Sequence, residues 1–392
     1  MKKLPHLAAI TLMGLSLGTA LGQQYTQVNL VSNASGVAPI TDPHLVNAWG
    51  LSRSTTSDWW VSDNKTGLST LYSGNGTINP LVVTIPANPH NISTKKGSPT
   101  GLVFNGSPTD FILPNGLAAT FIWSTIDGSI AAWNPTNAIA PGAAAPSTHA
   151  VTVAATKDGS GYTGLTSALV ENTRFLYAAN FALNRVDVYD NSFHIVHLNG
   201  THPSNPEDTA FVDPQLPNNF SPFNVQAIGN NIVVTFAMHE EGSTKSIAGP
   251  GLGYVDVFTT AGHLVTRLDH GDQLNAPWGV ALSPLDFGSF SHELLIGQFA
   301  AGGTTQSAGF IAAYNLATGH FDGLLEDQSG APIAINGLWS LSFGNAVAPG
   351  SYDQAGAPGG ELYFTAGPDG ATQGLYGYLK PVATTLIQGN DQ

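Results

Sequence analysis

Six times along this chain a turn residue opens into a short apolar run, and that recurrence constrains the fold more than any other feature of the sequence. The runs begin at Asn47-Ala48-Trp49-Gly50-Leu51, Pro99-Thr100-Gly101-Leu102-Val103, Tyr162-Thr163-Gly164-Leu165, Pro222-Phe223-Asn224-Val225, Ala276-Pro277-Trp278-Gly279-Val280 and Asn336-Gly337-Leu338-Trp339. Their starts lie roughly 50 to 63 residues apart, the scale of one propeller blade with its loops. Each is followed by a second apolar run (59–62, 121–124, 176–179, 232–236, 294–297, 362–365) and a third (69–72, 129–133, 185–189, 254–258, 310–314, 375–379). Short Val, Ile, Phe and Tyr-rich segments between Gly, Asn, Asp and Pro read as strands, and no long stretch carries a helical period. The expectation is an all-β, six-bladed β-propeller. The sixth unit ends near Leu379 with three strands, while the alternating segment 25–31 precedes the first unit without a partner. Placing that segment as the outer strand of the last blade closes the ring and removes an open edge.

Composition agrees. With 45 Gly and 25 Pro the chain is rich in turns, yet 42% hydrophobic content, including 7 Trp and 18 Phe, supplies a large core. The absence of Cys excludes disulfides, thiolate metal sites and Cys nucleophiles. Twelve Lys and Arg against 26 Asp and Glu give a net charge of −14, which argues against nucleic acid and acidic membrane surfaces as partners. Lys2 and Lys3, an apolar run from Leu7 to Leu17, and Ala20-Leu21-Gly22 read as a secretory leader over residues 1–22. No later stretch is long and apolar enough to span a bilayer. The division expected is leader 1–22, one propeller domain 23–382 and a tail 383–392, in a chain secreted or delivered to the periplasm.

In a propeller, the loop leading into each inner strand and the turn between second and third strands open on one face. The lead-in loops bring Asn47, Asn224, Asn275 and Asn336 there, and the turns bring Asp63, Asn64, Asp127, Asn180, His239, Glu240 and Asp369. Hard cations such as Ca²⁺ take several oxygen ligands, so Asn224, Asn275 and Asp369 are candidate metal ligands. Asn47, Asp63, Asp127, Asn180 and Asn336 are candidate ligand-binding residues. Asn and Asp are also favoured turn residues, because they bond their own backbone and tolerate left-handed geometry. A His beside carboxylates makes His239 and Glu240 the candidates for acid–base work. Trp49, Trp278 and Trp339 hold matching inner-strand positions, where packing between blades competes with ring stacking on a ligand.

The segments Thr41-Asp42-Pro43-His44-Leu45-Val46-Asn47-Ala48-Trp49-Gly50-Leu51, Gly249-Pro250-Gly251-Leu252-Gly253-Tyr254-Val255-Asp256-Val257-Phe258, Leu274-Asn275-Ala276-Pro277-Trp278-Gly279 and Tyr363-Phe364-Thr365-Ala366-Gly367-Pro368-Asp369-Gly370 carry a resemblance. Over most of residues 28–379 the chain resembles a conserved family of uncharacterised exported proteins. That resemblance implies six-bladed propellers, similar in architecture to NHL-repeat proteins and to calcium-dependent phosphotriesterases and lactonases. Some members of that family carry a Pro-Glu-Pro sorting tail; this chain ends without that motif, which favours release. Three functions remain open from the sequence. One is a scaffold binding a small molecule, glycan or protein segment on its channel face. The second is a Ca²⁺-dependent esterase or lactonase with its metal at the channel mouth, and the third a structural envelope protein.

Overall fold

The computed structural model of the chain describes residues 23–91, 95–136, 145–196, 198, 210–240, 243–299, 308–344 and 360–382. The expected leader and tail lie outside the described residues. Among the described residues six β-sheets are arranged as a propeller, and Ala308–Gly309 and Ile335–Asn336 form a separate two-stranded pair. Blade 1 comprises Ala48–Ser52, Trp59–Asp63, Leu68–Tyr72 and Ile78–Thr84, and blade 2 Pro99–Phe104, Phe121–Thr125, Ser129–Trp133 and Val151–Ala155. Blade 3 comprises Tyr162–Val170, Thr173–Asn180, Arg185–Tyr189 and Ile195–Val196, and blade 4 Phe220–Ile228, Asn231–His239, Gly253–Thr259 and Leu264–Arg267. Blade 5 comprises Pro277–Leu282, Glu293–Gln298, Ile311–Asn315 and Phe321–Leu324. Blade 6 takes Leu338–Gly344, Glu361–Ala366 and Leu375–Pro381, and its outer strand is Tyr25–Ser32 from the other end of the chain. That strand runs antiparallel to Leu375–Pro381, from Tyr25 opposite Pro381 to Ser32 opposite Leu375. The ring closure expected from the sequence is therefore present.

The inner three strands of each blade read as continuous apolar runs because both faces of every sheet are covered. Successive side chains point to opposite faces, so one strand feeds two interfaces. Trp59 packs toward blade 6 with Tyr363, while Trp60 packs toward blade 2 with Phe121, Trp123 and Trp133. Among the described residues the buried apolar side chains sort into seven clusters. Six of them sit between adjacent blades, and the seventh lies on the propeller axis. The outer strands of blades 1 to 5 are half-exposed, as in Ile78–Thr84 and Leu264–Arg267, which is why their pattern is hard to read in sequence. Part of the connection between blades 3 and 4 also joins the core: Phe211 is buried between them.

One irregularity repeats in all six blades. The inner strand slips register against its neighbour between Ala48 and Leu51, Pro99 and Leu102, Tyr162 and Gly164, Pro222 and Asn224, Pro277 and Gly279, and Leu338 and Leu341. A β-bulge bends the strand and re-aims a side chain. Just beyond four of these bulge positions stands a glycine, Gly50, Gly101, Gly164 or Gly279, pressed against the next blade. A Cβ there would run into Thr100 O, Leu165 N, Asn224 or Trp339 O respectively. At the two other positions stand Asn224, whose Nδ2 donates to Trp278 O at 2.7 Å, and Ser340.

Candidate functional site

The bulges place four aromatic side chains on the axis: Trp49, Phe223, Trp278 and Trp339. Trp339 stacks against Trp49, with centroids 3.6 Å apart, and against Phe299 at 3.9 Å. Trp278 meets Trp49 and Trp339 edge-on at 6.1 and 5.7 Å. These residues pack on one another across the channel rather than between blade faces, because the bulge turns them off the sheet surface. Trp123 and Trp133 do pack between blades 1 and 2, against Trp60. Two of the axial indoles are anchored: Trp339 Nε1 donates to Asn47 Oδ1 at 3.0 Å, and Trp278 Nε1 donates across the axis to Thr163 O at 2.9 Å. The buried Nε1 of Trp49 has no hydrogen-bond partner among the described residues.

Cavities open on both sides of this aromatic plug. The upper one, about 520 Å³, lies at the face where the chain leads into the inner strands. Its floor is Trp49, Trp339, Phe223 and Phe299, and its rim carries Asn47, Asn64, Asn336, Lys65 and Lys245. No Asp or Glu among the described residues lines it, and neither lysine forms an ion pair among them. Asn47 sits at φ 53°, a left-handed position that Asn tolerates. Its Nδ2 donates to Asn64 Oδ1 at 3.1 Å, and Asn64 Nδ2 donates to Pro99 O at 3.2 Å. The sequence Trp339, Asn47, Asn64, Pro99 thus ties blades 6, 1 and 2 together beneath the rim. A shallower groove of about 910 Å³, lined by Asn88, His90, Asp127 and Lys157, shares Ile126 and Thr244 with the upper cavity.

The other sequence candidates occupy varied surroundings. Asp63 is fully buried at the end of its strand, and among the described residues neither carboxylate oxygen has a hydrogen bond of good geometry. Burial pushes its carboxyl well above the usual range, with Asp42 adding to the rise and Thr70 partly offsetting it. Asp42 in turn accepts from Tyr72 Oη at 2.9 Å. Asn180 is fully engaged, donating to Asp187 Oδ2 at 2.7 Å and Ser160 Oγ at 2.9 Å and accepting from Gly161 N. Asp127 accepts from Asn88 N at 2.8 Å.

The three candidate metal ligands are not gathered at one cavity. Asn224 lines the lower cavity, Asn275 accepts from Gly249 N at 2.8 Å, and Asp369 stands on an exposed turn at φ 53°. Among the described residues no group of three or more His, Asp or Glu is placed to hold a metal ion. His239 is buried, its ring 4.7 Å from Phe181, whereas Glu240 is exposed beside it. Phe299, Lys65 and Lys245 were not singled out from sequence. Aligning the ends of the second strands, where Phe181 and Phe299 follow Asn180 and Gln298, brings Phe299 to notice.

No family model matches the chain. It is 30% identical over 359 residues to the uncharacterized protein L690 of Acanthamoeba polyphaga mimivirus, covering 89% of this chain and 84% of that one. The uncharacterized protein R648 of the same virus is 28% identical over 356 residues, covering 89% and 78%. Among solved structures, a protein of unknown function from Bacteroides thetaiotaomicron VPI-5482 superposes with a TM-score of 0.50 at 10% identity, covering 92% of this chain and 76% of that chain. A streptogramin B lyase structure gives a TM-score of 0.47 at 11% identity, covering 93% and 99%. At 10% identity the likeness to the Bacteroides thetaiotaomicron protein speaks for the fold alone.

Proposed function

The chain belongs to the family of the uncharacterized mimivirus protein L690, and on that footing we propose that it is a binding module that takes a glycan at the upper mouth of its channel. The observation that carries this reading is an aromatic floor opening into a cavity rimmed by amides. A sugar ring has one apolar face, which suits stacking on Trp and Phe, and a fringe of hydroxyls, which suits Asn side chains. Lys65 and Lys245, with no Asp or Glu lining the same cavity among the described residues, favour a glycan bearing carboxylates. In an acidic chain, where the cations stand matters more than how many there are. Export through the 1–22 leader belongs to the same reading, since an exported protein meets such glycans.

The test is tryptophan fluorescence of the full chain titrated with neutral and uronate-containing oligosaccharides. Saturable quenching is expected, tighter for the uronates. Phe299→Ala should weaken all binding roughly tenfold, in line with the loss of one aromatic contact, while Lys65→Ala with Lys245→Ala should weaken only the uronates. A flat response to every oligosaccharide sinks the reading.

A further inference from the structure

We infer that the lower cavity is a second binding site, for a small monocarboxylate with a short apolar body, and that Arg174 is its anchor. This cavity, about 320 Å³, lies on the opposite side of the aromatic plug from the mouth. Leu51, Leu102, Leu165, Leu341 and Val280 form its apolar wall, with Trp278 also lining it. Polar groups enter from four blades: Ser52, Ser167 with Arg174, Gln226 and Ser340. No described Asp or Glu lines it.

The contrast between arginines supplies the argument. Arg185 is gripped by Asp187 at 2.5 Å and Asp158 at 2.8 Å, and Arg267 by Asp256 at 2.7 Å and by Asp213. Among the described residues Arg174 has one acid near it, Asp110 at 3.9 Å, which is outside hydrogen-bond range. Asp110 accepts instead from Asn191 Nδ2 at 2.9 Å. Among the described residues the buried Nε of Arg174 has no hydrogen-bond partner, and its Nη1 reaches Ser167 Oγ only at 3.5 Å. A guanidinium presents five donors in a planar fork that matches a carboxylate in bidentate fashion. Arg174 lines the cavity with 26% of its side chain exposed, so an incoming carboxylate meets the accessible part of a fork whose donors are only part-used. The leucine wall selects an organic body over a bare inorganic anion, and the volume restricts that body to a short chain or one ring.

Calorimetry and thermal melting of the full chain with benzoate, hexanoate and inorganic phosphate test this assignment. Saturable binding of benzoate or hexanoate is expected, with a raised Tm and much weaker binding of phosphate. Arg174→Gln should lower carboxylate affinity by roughly tenfold or more, as for loss of a charge-assisted bond; Arg174→Lys should recover part of it. Asp110→Asn should tighten binding by removing the nearby negative charge. The assignment is overturned if neither carboxylate binds, if Arg174→Gln leaves affinity unchanged, or if phosphate binds as tightly as hexanoate. Should Arg174→Gln not fold, Asp110→Asn and Gln226→Ala decide: affinity must rise in the first and fall in the second. None of these substitutions touches the upper mouth, so this result and the glycan titration stand or fall separately.

Discussion

A buried carboxyl without a good hydrogen-bond partner, such as that of Asp63, opposes folding whenever it is ionised. Its folded pKa lies above the ordinary value, chiefly through burial and then through Asp42. An acid shifted upward binds its proton more tightly in the fold, so stability is full below the unfolded Asp value near about 4 and declines as pH rises above it. Asp63→Asn removes that decline. The variant should melt above the parent at pH 7, with the gap closing toward pH 4; a gap that stays constant with pH would contradict this account. Asp63 therefore acts on stability from inside blade 1, whereas Asn47, Asn64 and Asn336 reach the mouth. All four are small polar residues near the start or end of a strand, and sequence does not separate a buried Asp from a rim Asn. That distinction depends on which neighbouring blade covers the side chain.

At the scale of the strand, the bulged inner strand is the unit that builds both the ring and the site. In blades 1 and 5 the same irregularity aims Trp49 or Trp278 at the axis and leaves the next position, Gly50 or Gly279, too close to the following blade for a Cβ. Gly164→Ala places a methyl against Asn224, at a seam with no slack. The expected loss is about 1–3 kcal/mol, as for overpacking a core, read as a lower Tm with the glycan response otherwise kept. An unchanged Tm would mean that the seam can open. The recurrence of these segments made blade number, strand order and the closing strand legible in the sequence, since Trp49-Gly50 and Trp278-Gly279 repeat a visible pattern. The site was legible only in part. Trp49, Trp339, Asn47 and Asn336 stood out by position, but Phe299 and the two lysines belong to turns whose convergence depends on the ring being closed.

For the whole molecule, closure rests on Tyr25–Ser32 lying against Leu375–Pro381. Tyr25 is buried, its hydroxyl donates to Phe287 O at 2.8 Å in blade 5, and Val382 N donates to Gln24 O at 2.8 Å. Removing residues 1–32 should lower Tm by many degrees and promote self-association through the bared edge of blade 6, measurable by light scattering; a monomer of unchanged Tm would show that closure is dispensable. The arrangement also sets a timetable. Roughly 350 residues separate the two strands, and at about 5–20 residues per second of synthesis the first strand waits on the order of 20–70 s for its partner. Until then the five earlier blades can pair with one another, yet the circle stays open and its opening strand is a free β-edge. Closure is thus the last pairing that the order of synthesis permits, and a chain halted near residue 370 would leave a nearly complete propeller that cannot close.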